Sequence, residues 1–189
     1  MKKLVSALIV LMMLVCAAAF AEEAPVVIVT EDGAEWIAPA NGEPVTMEKD
    51  LGVIVNGVYY QVYCPAEPIV AALGEPVETV SSPSCVFVGE DFEYNYEYGS
   101  IYSSPIDEMN IWYEFYIFDA GITTTRGLSV GDTVEKMLEL YGENYYSEGE
   151  GMYTYSLSGD PEDYGSPCLI FESEDGVIVT IDIYYPTNI

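Results

Sequence analysis

The sequence predicts an α+β protein built as two tandem helix-plus-antiparallel-meander repeats packed together, preceded by a β-hairpin. Three observations predict it. The pair Asn56-Gly57 separates two β-rich runs, which is the strongest short hairpin signal. Two short helical stripes each end on a glycine, Gly74 and Gly142. After each stripe come runs that place apolar residues at every second position, the period of a strand with one buried face.

The first 21 residues stand apart from this plan. Met1-Lys2-Lys3 is a positive start, Leu4 to Val15 is apolar, and Ala19-Phe20-Ala21 is a small-x-small cleavage site. This reads as a secretory signal peptide, too short and wrongly flanked for a stable span. The expectation is a secreted, extracellular chain cleaved near Ala21. Lipid anchoring through Cys16 is the minority reading, because Val15 stands where a small residue is wanted. No later run is long and apolar enough for a helix to span a bilayer, so no membrane span is expected in the mature chain.

Residues 22–50 read as an extended arm. They hold Pro25, Pro39 and Pro44, the turn signals Asp32-Gly33 and Asn41-Gly42, and one strand candidate, Val26 to Thr30. Residues 51–120 carry the hairpin and repeat 1, with a helix over about 66–74 and strands over about 85–118. Residues 121–189 are repeat 2, with a helix over about 132–141 and strands over about 152–185.

The clearer helix is "TVEKMLELYG". Val134, Met137, Leu138 and Tyr141 form one apolar stripe, Asp132 is read as the N-cap with Glu135 three residues on, and Gly142 supplies the left-handed end. Ala66, Ile69, Val70 and Leu73 repeat the stripe, with Gly74 following. Pro68 must lie in that helix's first turn, since it cannot donate an interior bond.

The strands match as well. "EYNY" (93–96) parallels "MYTY" (152–155), and "IWYEFYI" (111–117) parallels "VIVTIDI" (177–183). Alternation places Ile111, Tyr113, Phe115 and Ile117 on one face, as it does Val177, Val179, Ile181 and Ile183. Ser100–Ser103 and Cys168–Glu172 bridge the two sets. "CVFVG" (85–89) is read as an extra strand of repeat 1.

Charge narrows the partners. The chain has 32 acidic and 5 basic residues, a net charge of −27. Beyond the signal peptide the basic residues are Lys49, Arg126 and Lys136 alone. Such a balance repels phosphate backbones and anionic headgroups, so nucleic acid and membrane surfaces are disfavoured partners. Cys64, Cys85 and Cys168 remain after cleavage; Cys64 with Cys85 is the slightly preferred disulfide, and the odd count leaves one thiol unpaired.

Catalytic chemistry has few candidates. The chain has no histidine, which removes Ser-His-Asp and Cys-His sites and every His-ligated metal. Lys49 and Lys136 both read as surface lysines. Glu90-Asp91 and Asp160/Glu162/Asp163 read as solvated turns rather than a paired-carboxylate hydrolase site. "GEDFE", "SGDPEDYG" and "SEDG" are oxygen-rich loops without EF-hand spacing, and turn formation accounts for them. No enzyme activity, cofactor or metal is expected.

The 17 tyrosines carry the functional expectation. Tyr94, Tyr96 and Tyr98 alternate onto one face of a strand, with Glu93, Asn95 and Glu97 on the other; Tyr153 and Tyr155 alternate likewise in the second repeat. Tyrosine joins a rigid apolar body to a polar tip and suits recognition surfaces. The bland reading makes these rings the core side of the sheet. Trp112 lies opposite the aliphatic stripe and is read as outer-face. Tyr94, Tyr96, Tyr98, Trp112, Tyr153 and Tyr155 are therefore the candidate binding residues.

The runs "LGEP", "SPSCVFVGED", "YNYEYGSIY" and "GITTTRGLSVGDTVEKMLELYG" resemble a group of uncharacterised secreted proteins of Gram-positive anaerobes. The turn Ser84 to Gly89 and the run Thr125 to Asp132 are its more specific parts. The resemblance covers about Leu51 to Tyr146 and implies no activity. At the level of fold alone, tandem helix-then-meander units are similar to the β-lactamase-inhibitor-protein-like modules, which implies protein binding through a sheet face. Those units open with two helices, and each half here shows one. The expected function is a secreted non-catalytic module that binds an extracellular protein through a Tyr-rich acidic sheet face. A carbohydrate or cell-wall binder is the alternative, and a carboxylate-dependent hydrolase a distant third.

Overall fold

The structure is a computed structural model that describes residues 27–187. The signal-peptide and Cys16 readings fall outside those residues. The fold is α+β. Among the described residues no helix is long and apolar enough to cross a membrane.

A small sheet comes first. β1 (Val29–Thr30) runs parallel to β3 (Val58–Gln61), which pairs antiparallel with β2 (Gly52–Val55). Asn56 and Gly57 join β2 to β3 with φ of 52° and 80°, the two positive angles a type I′ turn demands. After β4 (Cys64–Pro65) comes α1 (Ala66–Leu73), with Pro68 in its first turn as its missing N–H requires.

The main sheet contains β5 (Glu78–Pro83), β6 (Glu90–Tyr96), β7 (Gly99–Ile106), β8 (Met109–Ile117), β9 (Met152–Ser156), β10 (Cys168–Glu174) and β11 (Val177–Tyr184). Its order is β5-β6-β7-β8-β11-β10-β9, with β4 also paired to β8, and every pairing is antiparallel. Helix α2 (Val134–Tyr141) connects β8 to β9 in the chain.

One face of the sheet carries the core. Ile101, Phe115, Ile117, Leu169, Phe171, Ile181 and Ile183 meet Ala66 and Ile69 of α1, Met137 and Tyr141 of α2, and Val53 and Val55 of the hairpin. Each fully buried Val, Leu, Ile, Phe or Met side chain among them contributes about 1.5–3 kcal/mol.

Several local expectations are corrected. The extra strand is β5, while 85–89 is a bend closed by Ser84 N–H to the Gly89 carbonyl (3.0 Å) and by Ser84 Oγ, which accepts from Val86 and Phe87. The α2 cap is Thr133, whose side chain accepts from Lys136 N–H at 3.3 Å. Asp132 is diverted to the Ser129 N–H and to Lys136 Nζ, each at 2.7 Å.

The two alternating sets are each broken by a β-bulge. Tyr102 and Ser103 face Glu114 and Trp112, so Tyr113 is the extra residue. Glu172 and Ser173 face Thr180 and Ile178, so Val179 is the extra residue. A bulge resets which side chains face inward. Trp112 and Ile178 therefore enter the core in place of Tyr113 and Val179, and Val177 is exposed. Trp112 is 1% exposed, which overturns its outer-face assignment.

The expected Cys64–Cys85 disulfide is not formed. Cys64, Cys85 and Cys168 are all free thiols, Cys64 in β4 beside Trp112 and Cys85 exposed in the bend before β6.

Candidate functional site

The tyrosines singled out from the sequence belong to the core side. Tyr96 is 6% exposed and Tyr155 3%, and Tyr94, Tyr98 and Tyr153 are half-buried against the same core. Tyr96 stacks on Tyr98 with centroids 5.5 Å apart. Tyr155 packs on Tyr141 and Phe171 and donates its hydroxyl to the Gly142 carbonyl at 2.6 Å, pinning the sheet to the end of α2. Asn110 Nδ2 donates to the Tyr94 hydroxyl at 2.9 Å. These rings are structural: the Tyr155 and Tyr94 hydroxyls have partners, and the Tyr96 hydroxyl is buried without one.

The opposite face is different. Strand registers align two ladders across it. One runs Glu93, Tyr102, Glu114, Tyr184, Cys168 and Ser156 over β6, β7, β8, β11, β10 and β9. The next runs Asn95, Ser100, Tyr116, Asp182, Ile170 and Thr154 over the same strands. Both helices and the hairpin give their buried side chains to the other face.

This outer face is acidic. Glu114 lies diagonal to Asp182 across β8 and β11, and Glu172 lies diagonal to it across β10. Burial pushes the Asp182 carboxyl up to about 8, reinforced by the Glu114 and Glu172 charges, and Asp182 Oδ1 is buried with no hydrogen-bond partner. Glu114 is also raised, by desolvation. Burial raises Tyr113 to about 12, with further contributions led by Glu114 and Asp91. Tyr102 and Tyr184 rise for the same reasons: burial first, then nearby carboxylates, Glu93 and Glu114 for Tyr102 and chiefly Glu114 for Tyr184. The phenols thus remain neutral donors among carboxylates. Among the described residues no basic side chain answers them. Arg126 is buried with Asp50, Lys136 is bound to Asp132 on α2, and Lys49 is in the turn before β2.

Among the described residues no group of three His, Cys, Asp or Glu side chains is placed to hold a metal ion. The loop "SGDPEDYG" uses its acids for its own turns: Asp160 Oδ1 accepts from Glu162 N–H (2.9 Å) and Asp163 Oδ1 from Gly165 N–H (3.2 Å). No protein-family model, curated protein or solved structure matches this chain.

The sequence held the signal for the outer face. It is the complement of the apolar alternation: Glu114 and Tyr116 between Phe115 and Ile117, Asp182 and Tyr184 beside Ile181 and Ile183. The tyrosines of the β6 and β9 runs fall on the core side by the same alternation.

Proposed function

We propose that the protein is a secreted, non-catalytic binding module that docks a basic extracellular protein on the outer face of its sheet. The observation that carries this reading is the pair of Tyr/acid ladders with no basic residue among them. Neutral phenols and unpaired carboxylates offer a cationic surface both hydrogen bonds and charge, and a negative field speeds its encounter. Sugar binding is less favoured, because Tyr102, Tyr116 and Tyr184 are half-buried and stand among charges rather than as an exposed aromatic row.

We further infer that the sheet arose by duplication of one helix-plus-meander unit, residues about 64–120 and 121–189. The order β6-β7-β8 against β9-β10-β11 meets at the β8/β11 seam. The two bulges support this most. Aligning 111–117 with 177–183 puts Tyr113 on Val179, Trp112 on Ile178 and Phe115 on Ile181.

Zero-length carbodiimide cross-linking to a basic protein captured from the host's medium tests the docking face. Links at Glu93, Glu114 and Glu172, lost in the triple variant Glu93→Gln/Glu114→Gln/Asp182→Asn, are the expected result. Links confined to Glu135 and Glu139 of α2 would overturn it.

A further inference from the structure

At one end of the outer face the surface closes into a pocket. The loop between β9 and β10 is fastened at its base by Leu157 N–H to the Pro167 carbonyl (3.0 Å) and by Ser158 N–H to Ser166 Oγ (2.9 Å). Within it Asp163 N–H donates to the Asp160 carbonyl and Ser166 N–H to the Asp163 carbonyl, both at 3.1 Å. This fixed loop holds Asp163 and Tyr164 over the sheet. Tyr146, bridged to Thr154 at the β9 edge, and Tyr184 of β11 form other walls. The cavity has a volume of about 140 Å³ and a floor that includes Ile170 and Cys168.

Size and chemistry both restrict the occupant. Pockets for whole small molecules run to roughly 300–1,000 Å³, so this one takes a fragment. Three tyrosines line it together with two carboxylates, Glu148 and Asp163. Among the described residues neither carboxylate has a basic partner. One Asp163 oxygen is engaged by Gly165 N–H, which orients the carboxylate. Tyr164 is 78% exposed, a large aromatic side chain standing at the rim with no packing role to explain it. Burial raises the Tyr146 hydroxyl, and the charges of Cys168, Glu148, Tyr164 and Asp163 raise it further, as expected of a crowded negative site.

We propose that this pocket receives one cationic side chain, lysine or arginine, from the protein that docks on the outer face. Aromatic rings attract an ammonium or guanidinium through their negative faces, and flanking carboxylates supply the countercharge. The inference rests on the docking reading above, and it adds an anchor point to it.

The test uses fluorescein-labelled decapeptides alternating lysine with glycine, or arginine with glycine, titrated by fluorescence anisotropy at 150 mM salt. Tyr164→Ala removes no charge and, at an exposed position, leaves the fold intact, which a thermal melt verifies. It is expected to weaken binding about 2- to 5-fold, the range of an exposed cation–π contact. Glu148→Gln/Asp163→Asn is expected to weaken it by more. Glu135→Gln/Glu139→Gln, which removes equal charge from α2, is expected to leave it nearly unchanged. Whichever peptide binds tighter identifies the preferred cation. If the pocket variants bind like wild type while Glu93→Gln/Glu114→Gln weakens binding, the pocket is wrong and the docking face stands. If the helix-side pair weakens binding as much as the others, or wild type binds neither peptide, both are overturned.

Discussion

Arg126 and Asp50 form a buried bidentate ion pair that ties the N-terminal arm to the end of α2. Nε meets Oδ1 at 2.7 Å and Nη2 meets Oδ2 at 3.1 Å, and the paired side chains are 1% and 0% exposed. Nη1 also donates to the carbonyls of Leu140 (2.9 Å) and Ala40 (3.2 Å), and the guanidinium carbon lies 4.8 Å from the Tyr141 ring centroid. Arg126 is thus the organising contact for three segments far apart in sequence.

Breaking this pair from one side strands a buried charge, and Arg126→Met additionally leaves carbonyls without donors. The expected loss is about 3–5 kcal/mol, read as a lower urea midpoint. Arg126→Lys should recover only part of it, since an ammonium cannot match the fork. A loss under about 1 kcal/mol for Arg126→Met would show that the pair is structurally idle.

Trp112 owes its burial to the bulge at Tyr113. Trp112→Ala should therefore cost about 3–5 kcal/mol, the range for deleting a large core ring. Tyr116→Ala, on the outer face of the same strand, should change stability far less. Equal losses at the two positions in chemical denaturation would contradict the inward turn of Trp112.

Gly99 is required by close approach. A Cβ there would fall 2.6 Å from the Tyr116 carbonyl oxygen and 2.9 Å from the Phe115 ring. The first contact is backbone and cannot swing aside. Gly99→Ala should destabilise by about 1–3 kcal/mol through overpacking, seen as a lower Tm.

The three thiols should separate by reactivity. Cys85 is exposed, Cys64 is half-buried and its pKa is raised by burial and then by Glu31, and Cys168 is 6% exposed and pushed up to about 12 by burial and then chiefly by Asp182. Only thiolates alkylate quickly. Iodoacetamide at pH 8 should label Cys85 first and Cys168 only after unfolding, by peptide mass spectrometry. Recovery of a Cys64–Cys85 linked peptide would contradict the structure.

Local patterns foretold the elements better than the faces. The two helical stripes, the glycine ends and the Asn56-Gly57 turn are encoded within a few residues, so they were legible. The sheet face of Trp112 was not, because a bulge is a property of two paired strands and period-2 counting carries no sign of it. The same limit hid the site. Which alternate of Glu114 and Phe115 meets a helix depends on a core assembled from α1, α2 and β2, all distant in sequence. Asp50 with Arg126 was illegible for the same reason, a pairing across 76 positions.

Asp182 should make stability fall as pH rises. Its folded carboxyl titrates near 8, against an ordinary value of 3.8, because burial and the Glu114 and Glu172 charges oppose ionisation. Below about 4 both folded and unfolded forms are protonated, and the group adds no pH dependence. Between about 4 and 8 the unfolded chain has lost the proton and the native chain still holds it, so each pH unit removes at most about 1.4 kcal/mol. Above about 8 both are ionised and the loss is complete. Asp182→Asn cannot ionise, so it should be more stable than wild type at pH 7.5 and similar at pH 4, with the gap opening across that window. General charge repulsion also grows with pH in so acidic a chain, and the difference between the two proteins removes most of it. The docking proposal predicts a linked effect. A cation over Asp182 favours its ionised form, so affinity for a basic peptide should rise from pH 6 to 8 in wild type and stay flatter in Asp182→Asn. Parallel stability curves for the two proteins between pH 4 and 8 would refute the raised carboxyl.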